Sequence, residues 1–130
     1  MNDKKQILLL QRINAAFGNL CYSLPGGKIE QGETARKALM REAHEELGIT
    51  LNPDRVSLIH VIHRKGTDSE FFAHIFQISE WEGELRNREP DRHSALEWFA
   101  SDALPMPMLP AHSNALHLIQ QGIAYSEHGW

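Results

Sequence analysis

The sequence predicts an α/β fold, an α/β/α sandwich, from three observations. Short apolar runs of strand length, such as residues 7–10 and 56–63, are separated by turn residues. Residues 35–47 repeat their apolar side chains at helical spacing, and residues 112–121 do so again near the end. Strands on either side of one helix, followed by a second helix, suit a sheet layer covered from both faces.

Taken in order, residues 4–12 hold the apolar run 7–10, which fits a buried strand and is too short for an independent helix. Residues 14–19 read as a turn and 20–24 as a strand, broken at Pro25-Gly26-Gly27, where the backbone needs conformations that a side chain obstructs. A short strand is expected over 28–30. Thr34 then caps the helix, and Gly48 ends it. Asn52-Pro53-Asp54 is a turn. Residues 56–63 carry β-branched side chains on both faces, as an interior strand does. Gly66-Thr67-Asp68 turns the chain into a return strand over 70–78. The charged stretch 81–92, with Gly83 and Pro90, reads as a strand end and exposed loop, and 96–99 as the last short strand. Pro105, Pro107 and Pro110 delay the second helix to 112–121, where Leu116, Ile119 and Ile123 keep helical spacing.

At 130 residues the chain is expected to form one domain, 1–130. Its 42% hydrophobic and 23% charged residues are ordinary for a soluble protein. A formal net charge of −4 gives no general affinity for nucleic acid polymers, so phosphate binding would need a metal or a local basic patch. The single Cys21 excludes an intramolecular disulfide, and no stretch reads as a signal peptide or membrane span, so the cytoplasm is the expected compartment.

The chemistry concentrates on the first helix. At about 100° per residue, Glu42 and Glu46 fall inside the arc of Ala35, Ala38, Leu39, Ala43 and Leu47, with Glu45 beside it. Arg36, Lys37, Met40, Arg41 and His44 take the opposite side. Carboxylates crowded on one face repel one another unless a cation neutralises them, and oxygen ligands of this density suit Mg²⁺, with Mn²⁺ as a substitute.

The stretch from Pro25 to Ile49 resembles the Nudix box, G-x5-E-x7-R-E-U-x-E-E-x-G-U, where U is a bulky aliphatic residue. Gly27, Glu33, Arg41, Glu42, Glu45, Glu46, Gly48 and Ile49 match in register, and only the small Ala43 departs from the pattern. The resemblance, MutT-like, implies a Nudix-type sandwich with a mixed sheet and Mg²⁺-dependent hydrolysis of a nucleoside triphosphate or another nucleoside diphosphate-linked compound. It also implies that Glu42, Glu45, Glu46 and the carbonyl of Gly26 ligate metal, that Arg41 orients a catalytic glutamate, and that Gly27, Glu33 and Gly48 brace the loop and helix. A further carboxylate is expected from downstream. Glu89 is chosen over Asp91 and Glu97 because Pro90 stiffens it on a loop that orders with substrate.

Tyr22, just before the glycine turn, and Asn114, early in the last helix, are candidates for contacting the base. His60 and His63 are candidate proton acceptors. With His74 they lack the cysteine partners and close spacing of a structural zinc site. The alternatives are a nucleotide sensor on the same fold, which would have lost box glutamates, and an isoprenoid diphosphate isomerase, which needs a catalytic cysteine placed unlike Cys21. Removal of RNA caps would call for a basic groove that the sequence does not offer. Nudix domains usually carry a strand ahead of the one resembling residues 4–12. Only six residues precede Ile7, too few for a strand and return at about 3.3 Å per residue. An uncovered sheet edge or face is therefore expected, closed by a homodimer or by a longer natural chain.

Overall fold

The computed structural model describes residues 1–2 and 5–130; Lys4, in the first expected segment, lies outside them. Strand β1 spans Gln6–Arg12, β2 Tyr22–Ser23, helix α1 Ala35–Leu47, β3 Val56–Lys65, β4 Glu70–Ile78, β5 His93–Ala100, α2 Pro110–Gln120 and β6 Tyr125–His128. One antiparallel sheet has the order β2-β1-β5, and a mixed one has the order β4-β3-β6, in which β6 runs parallel to β3.

Alternation along β1 sets the two packing layers. Leu8 and Leu10 join Ala43 and Leu47 of α1, together with Ile49, Leu51 and Val56. Ile7 and Leu9 point to the other side and meet Leu116 and Ile119 of α2. Because successive strand residues face opposite ways, one apolar run serves both helices. Ala111 and Ala115 of α2 pack on Ile62 of β3, small side chains that let the helix lie close to the strand. The expected sandwich with a mixed sheet is present.

Helix α1 starts and stops as its sequence predicts. Thr34 Oγ1 accepts from the Lys37 N–H at 3.1 Å. Gly48, at φ 71°, donates its N–H to the Ala43 and His44 carbonyls, a left-handed cap that suits glycine. One position on the wheel is corrected: Met40, assigned to the outer side, is half-buried against the α1 core. The arc of α1 that the core covers is wider than the apolar stripe, and the flexible thioether fills its margin.

Other boundaries differ for local reasons. The strand expected over 20–24 shrinks to Tyr22–Ser23, because Leu20 sits at φ 68°, outside strand geometry. No strand forms over 28–30. There the Lys28 carbonyl accepts from Arg41 and the Glu30 N–H donates to the Glu33 carboxylate, so side chains take the groups a ladder would use. Helix α2 begins earlier than expected, with Pro110 in its first turn, where a missing N–H costs nothing. It ends before Gly122, at φ 75°, so Ile123 lies outside the helix and exposed.

Strand β6 is unforeseen. Its sequence, Tyr-Ser-Glu-His, has no apolar run, and it is held through one buried side chain of β3. His60, 1% exposed, places Nδ1 at 2.9 Å from the Ile123 carbonyl and Nε2 at 2.8 Å from Ser126 Oγ. The carbonyl only accepts, so Nδ1 carries the proton and the serine hydroxyl donates to Nε2. This satisfied pair gives His60 a structural place. Ser126→Ala strands Nε2 without a partner and is expected to cost about 1–3 kcal/mol, read as a lower urea midpoint at unchanged slope.

The uncovered edge expected from the short N-terminus falls on the outer strand β4 rather than on the central strands, although the two-residue β2 covers β1 only at Leu10 and Gln11. β1 is flanked by β2 and β5, and β3 by β4 and β6.

Candidate active site

A hollow of about 400 Å³ collects Gly26, Gly27, Glu42, Glu46 and Glu89, with Arg12, Asn14, Arg92 and His93 on its other walls. Helix α1 presents Glu42 and Glu46 to it on successive turns, as residues four apart must be. Glu46 is 5% exposed. Burial first, then the Glu42 and Glu89 carboxylates, push its carboxyl up to about 8, against one backbone hydrogen bond from Gly26. Glu45 lies outside this enclosure, more than half exposed and held by Arg41 at 3.2 Å.

Arg41 ties the glycine loop to the helix. Its Nε donates to Glu33 Oε2 at 3.1 Å and one terminal nitrogen to Glu33 Oε1 at 2.7 Å, a bidentate pair. The same terminal nitrogen donates to the Lys28 carbonyl at 2.9 Å, and the other reaches Glu42 at 2.8 Å. Glu33 also accepts from the Glu30 N–H at 2.8 Å, and its carboxyl is held below the usual range, chiefly by the Arg41 hydrogen bonds. Gly27 lies directly against Glu42: a Cβ there would overlap the carboxylate. Glycine at this point is what allows loop and helix to touch.

The loop that brings Glu89 is fixed to the end of α1, where four carbonyls lack helical partners. The Arg86 N–H donates to Leu47 O and the Arg88 N–H to Glu46 O, each at 2.9 Å. Asn87 donates to the His93 carbonyl at 2.6 Å, and the Arg92 and His93 N–H groups turn back to Glu89 O. A loop that its charge marks as loose is thus anchored at both ends. Arg92 lies 3.5 Å from the Glu89 carboxylate. Asp91 and Glu97 are exposed and do not line the hollow.

Neither Tyr22 nor Asn114 is on its walls. The Tyr22 ring packs edge-on against Phe99 at 5.3 Å, and Asn114 is exposed on α2. His63 stacks on Phe72 at 4.2 Å.

Three residues escaped the sequence reading. Arg12 ends β1 and has a buried Nε with no hydrogen-bond partner among the described residues. His93 opens β5 beside Glu46, and burial lowers its pKa. His112 accepts the Leu24 N–H at Nδ1, 3.1 Å away, and so anchors the strand end leading into Pro25. Burial, then Arg64 and Arg12, lowers its pKa to about 4, which keeps that nitrogen an acceptor at neutral pH. The available signal was the short spacing of Arg92 and His93 after Glu89; Arg12 and His112 carry none.

The donor set fits a divalent cation. A sealed carboxylate beside two others is disfavoured as an anion and becomes favourable when a cation shares the space. One ligand atom each from Glu46, Glu89 and His93 lies within 4.8 Å of the others.

Comparison with known proteins agrees with this geometry. The NUDIX domain family profile matches residues 1–120. An 8-oxo-dGTP diphosphatase of Haemophilus influenzae is 34% identical over 117 residues, 89% of this chain and 82% of that one. A CTP pyrophosphohydrolase of Escherichia coli is 33% identical over 107 residues, 82% and 76% of the two chains. The crystal structure of a MutT NUDIX hydrolase from Burkholderia pseudomallei superposes with a TM-score of 0.79 at 39% identity, covering 87% of each chain. With Gly27, Glu42 and Glu46 of the box at one acidic hollow and relatives spanning most of its length, the chain belongs to the NUDIX domain family as a MutT-like hydrolase.

Proposed function

We propose that this protein hydrolyses a nucleoside triphosphate to a nucleoside monophosphate and pyrophosphate, with Mg²⁺ as cofactor and Mn²⁺ as a substitute. The observation that carries the reading is Glu46, enclosed with Glu42 and Glu89 at one hollow that Gly26 also lines. In this reading Glu42, Glu46, Glu89 and the Gly26 carbonyl hold a cation in the hollow, and Glu45, outside it on the same helix, extends the ligand set to a cluster of ions. When bound, the cation neutralises phosphate oxygens and makes a water nucleophilic at neutral pH. Arg41 keeps Glu42 and Glu45 in place, and Arg12 brings a guanidinium to the wall of the hollow as a cationic partner for phosphate oxygens. Asn114, exposed on α2, offers a donor and an acceptor to a base edge, and Tyr22 supports the loop from the core side.

The triphosphate class is supported by the names of two relatives, one for 8-oxo-dGTP and one for CTP. A panel of canonical, oxidised and sugar-linked nucleotides, read by product identity with Mg²⁺, tests it. Preference for a sugar-linked diphosphate would refute the triphosphate assignment.

Glu89→Ala is expected to raise the Mg²⁺ concentration needed for half-maximal rate by about tenfold or more, while Asp91→Ala and Glu97→Ala leave it unchanged. A Mg²⁺ titration of the three variants reads the difference.

We place the protein in the cytoplasm; among the described residues no helix is long and apolar enough to cross a membrane. A homodimer remains our assembly state, supported by the outer strand β4, where Phe71 and Phe72 are 46% and 54% exposed. Light scattering at micromolar concentration should give twice the chain mass; a stable monomer would refute it.

A further inference from the structure

We infer that the His93 imidazole is itself a ligand of the cation, so that the site joins nitrogen to oxygen donors and gains more affinity for Mn²⁺, the substitute cation, than for Mg²⁺. This rests on the reading that Glu46 and Glu89 hold a metal ion.

The geometry is that of two ligands on one ion. His93 Nε2 lies 3.7 Å from Glu46 Oε1, and Glu89 completes a triad of ligand atoms within 4.8 Å of one another. Donors that share an ion at about 2.1 Å stand about 3.0 Å apart at right angles and about 4.2 Å apart when opposed. The observed 3.7 Å lies between those limits, and it is too long for an N–H···O hydrogen bond. Both side chains are walled in, with 12% and 6% of their surface exposed, and the described residues give the ring no hydrogen bond. Its backbone is fixed as well: the N–H donates to Glu89 O at 3.0 Å and the carbonyl accepts from Asn87 at 2.6 Å. The backbone that carries the ring is thus fixed beside the carboxylates.

The consequence is selectivity. Carboxylates alone suit Mg²⁺, which takes oxygen ligands and gives up its waters reluctantly. An imidazole nitrogen adds more binding for first-row transition cations than for Mg²⁺, with Mn²⁺ at the weak end of that series.

Mn²⁺ bound to the full chain is to be examined by pulsed electron paramagnetic resonance, with natural and ¹⁵N-histidine protein. A histidine nitrogen coupling in the wild type that changes on ¹⁵N substitution and vanishes in His93→Gln is the expected result. Mn²⁺ affinity should fall in that variant by about ten- to a hundredfold while Mg²⁺ affinity falls less than about threefold. Should His93→Gln fail to fold, the ¹⁵N-dependent coupling of the wild type, which needs no variant, carries the test, because His93 is the histidine that lines the hollow among the described residues. Mn²⁺ binding that depends on Glu46 but shows no histidine coupling overturns the inference and leaves the underlying reading intact. Mn²⁺ binding unchanged by Glu46→Gln places the ion elsewhere and removes both.

Discussion

Glu46→Gln is expected to lower turnover by at least about a hundredfold while the protein stays folded, because the amide keeps the shape of the side chain and removes the charge a cation needs. The effect on stability runs the other way. The Glu46 carboxyl, pushed up to about 8 by burial and by Glu42 and Glu89, is raised above the ordinary value of 4.5. Folding therefore takes up a proton between those values. The stabilising contribution of protonated Glu46 is complete below the unfolded pKa and is lost as pH rises through about 8. In EDTA, wild-type melting temperature should decline from about pH 5.5 to about pH 8.5, and Glu46→Gln should flatten that decline. Cation affinity should rise over the same window, since binding needs the carboxylate. Wild-type turnover in the variant would remove Glu46 from the chemistry. An identical pH slope would show that its enclosure is not what the fold pays for.

Arg41→Ala is the second large effect. This guanidinium satisfies both oxygens of Glu33, the Lys28 carbonyl, Glu42 and Glu45. Without it the glycine loop loses its tie to α1, and Glu42 and Glu45 are left to repel. A fall in turnover of about ten- to a hundredfold is expected, with more Mg²⁺ needed for half-maximal rate and a lower melting temperature. Arg41→Lys should recover little of it, because an ammonium cannot make the planar bidentate contact with Glu33 while reaching the helix carboxylates. Full activity in Arg41→Lys would mean that charge alone, without the fork, holds the loop.

The part of the site that lies within one local stretch was legible in the sequence. Thr34, Gly48 and the helix between them are set by capping and periodicity, and the wheel places Glu46 among alanines and leucines, where the structure buries it. What crosses the chain was not legible. Met40 is covered by neighbours outside its helix. Strand β6 is polar and stays in place through His60, some sixty residues earlier, so neither segment announces the pairing. Arg12, His93 and His112 reach the hollow or its loop by tertiary contact, and a lone Arg or His in a sequence gives no direction. The 81–92 loop looked free because its composition is charged; its order comes from backbone bonds to α1, which composition does not encode.

The most direct test of the account is the fate of oxygen and phosphorus in one reaction. The purified protein is incubated in ¹⁸O-labelled water with a nucleoside triphosphate chosen from the panel, with Mg²⁺ or with EDTA, and the products are resolved by ³¹P NMR. The account predicts a nucleoside monophosphate and pyrophosphate in equal amounts, one of them carrying a single ¹⁸O, and no product in EDTA. Orthophosphate with a nucleoside diphosphate, or the same products formed in EDTA, would contradict it.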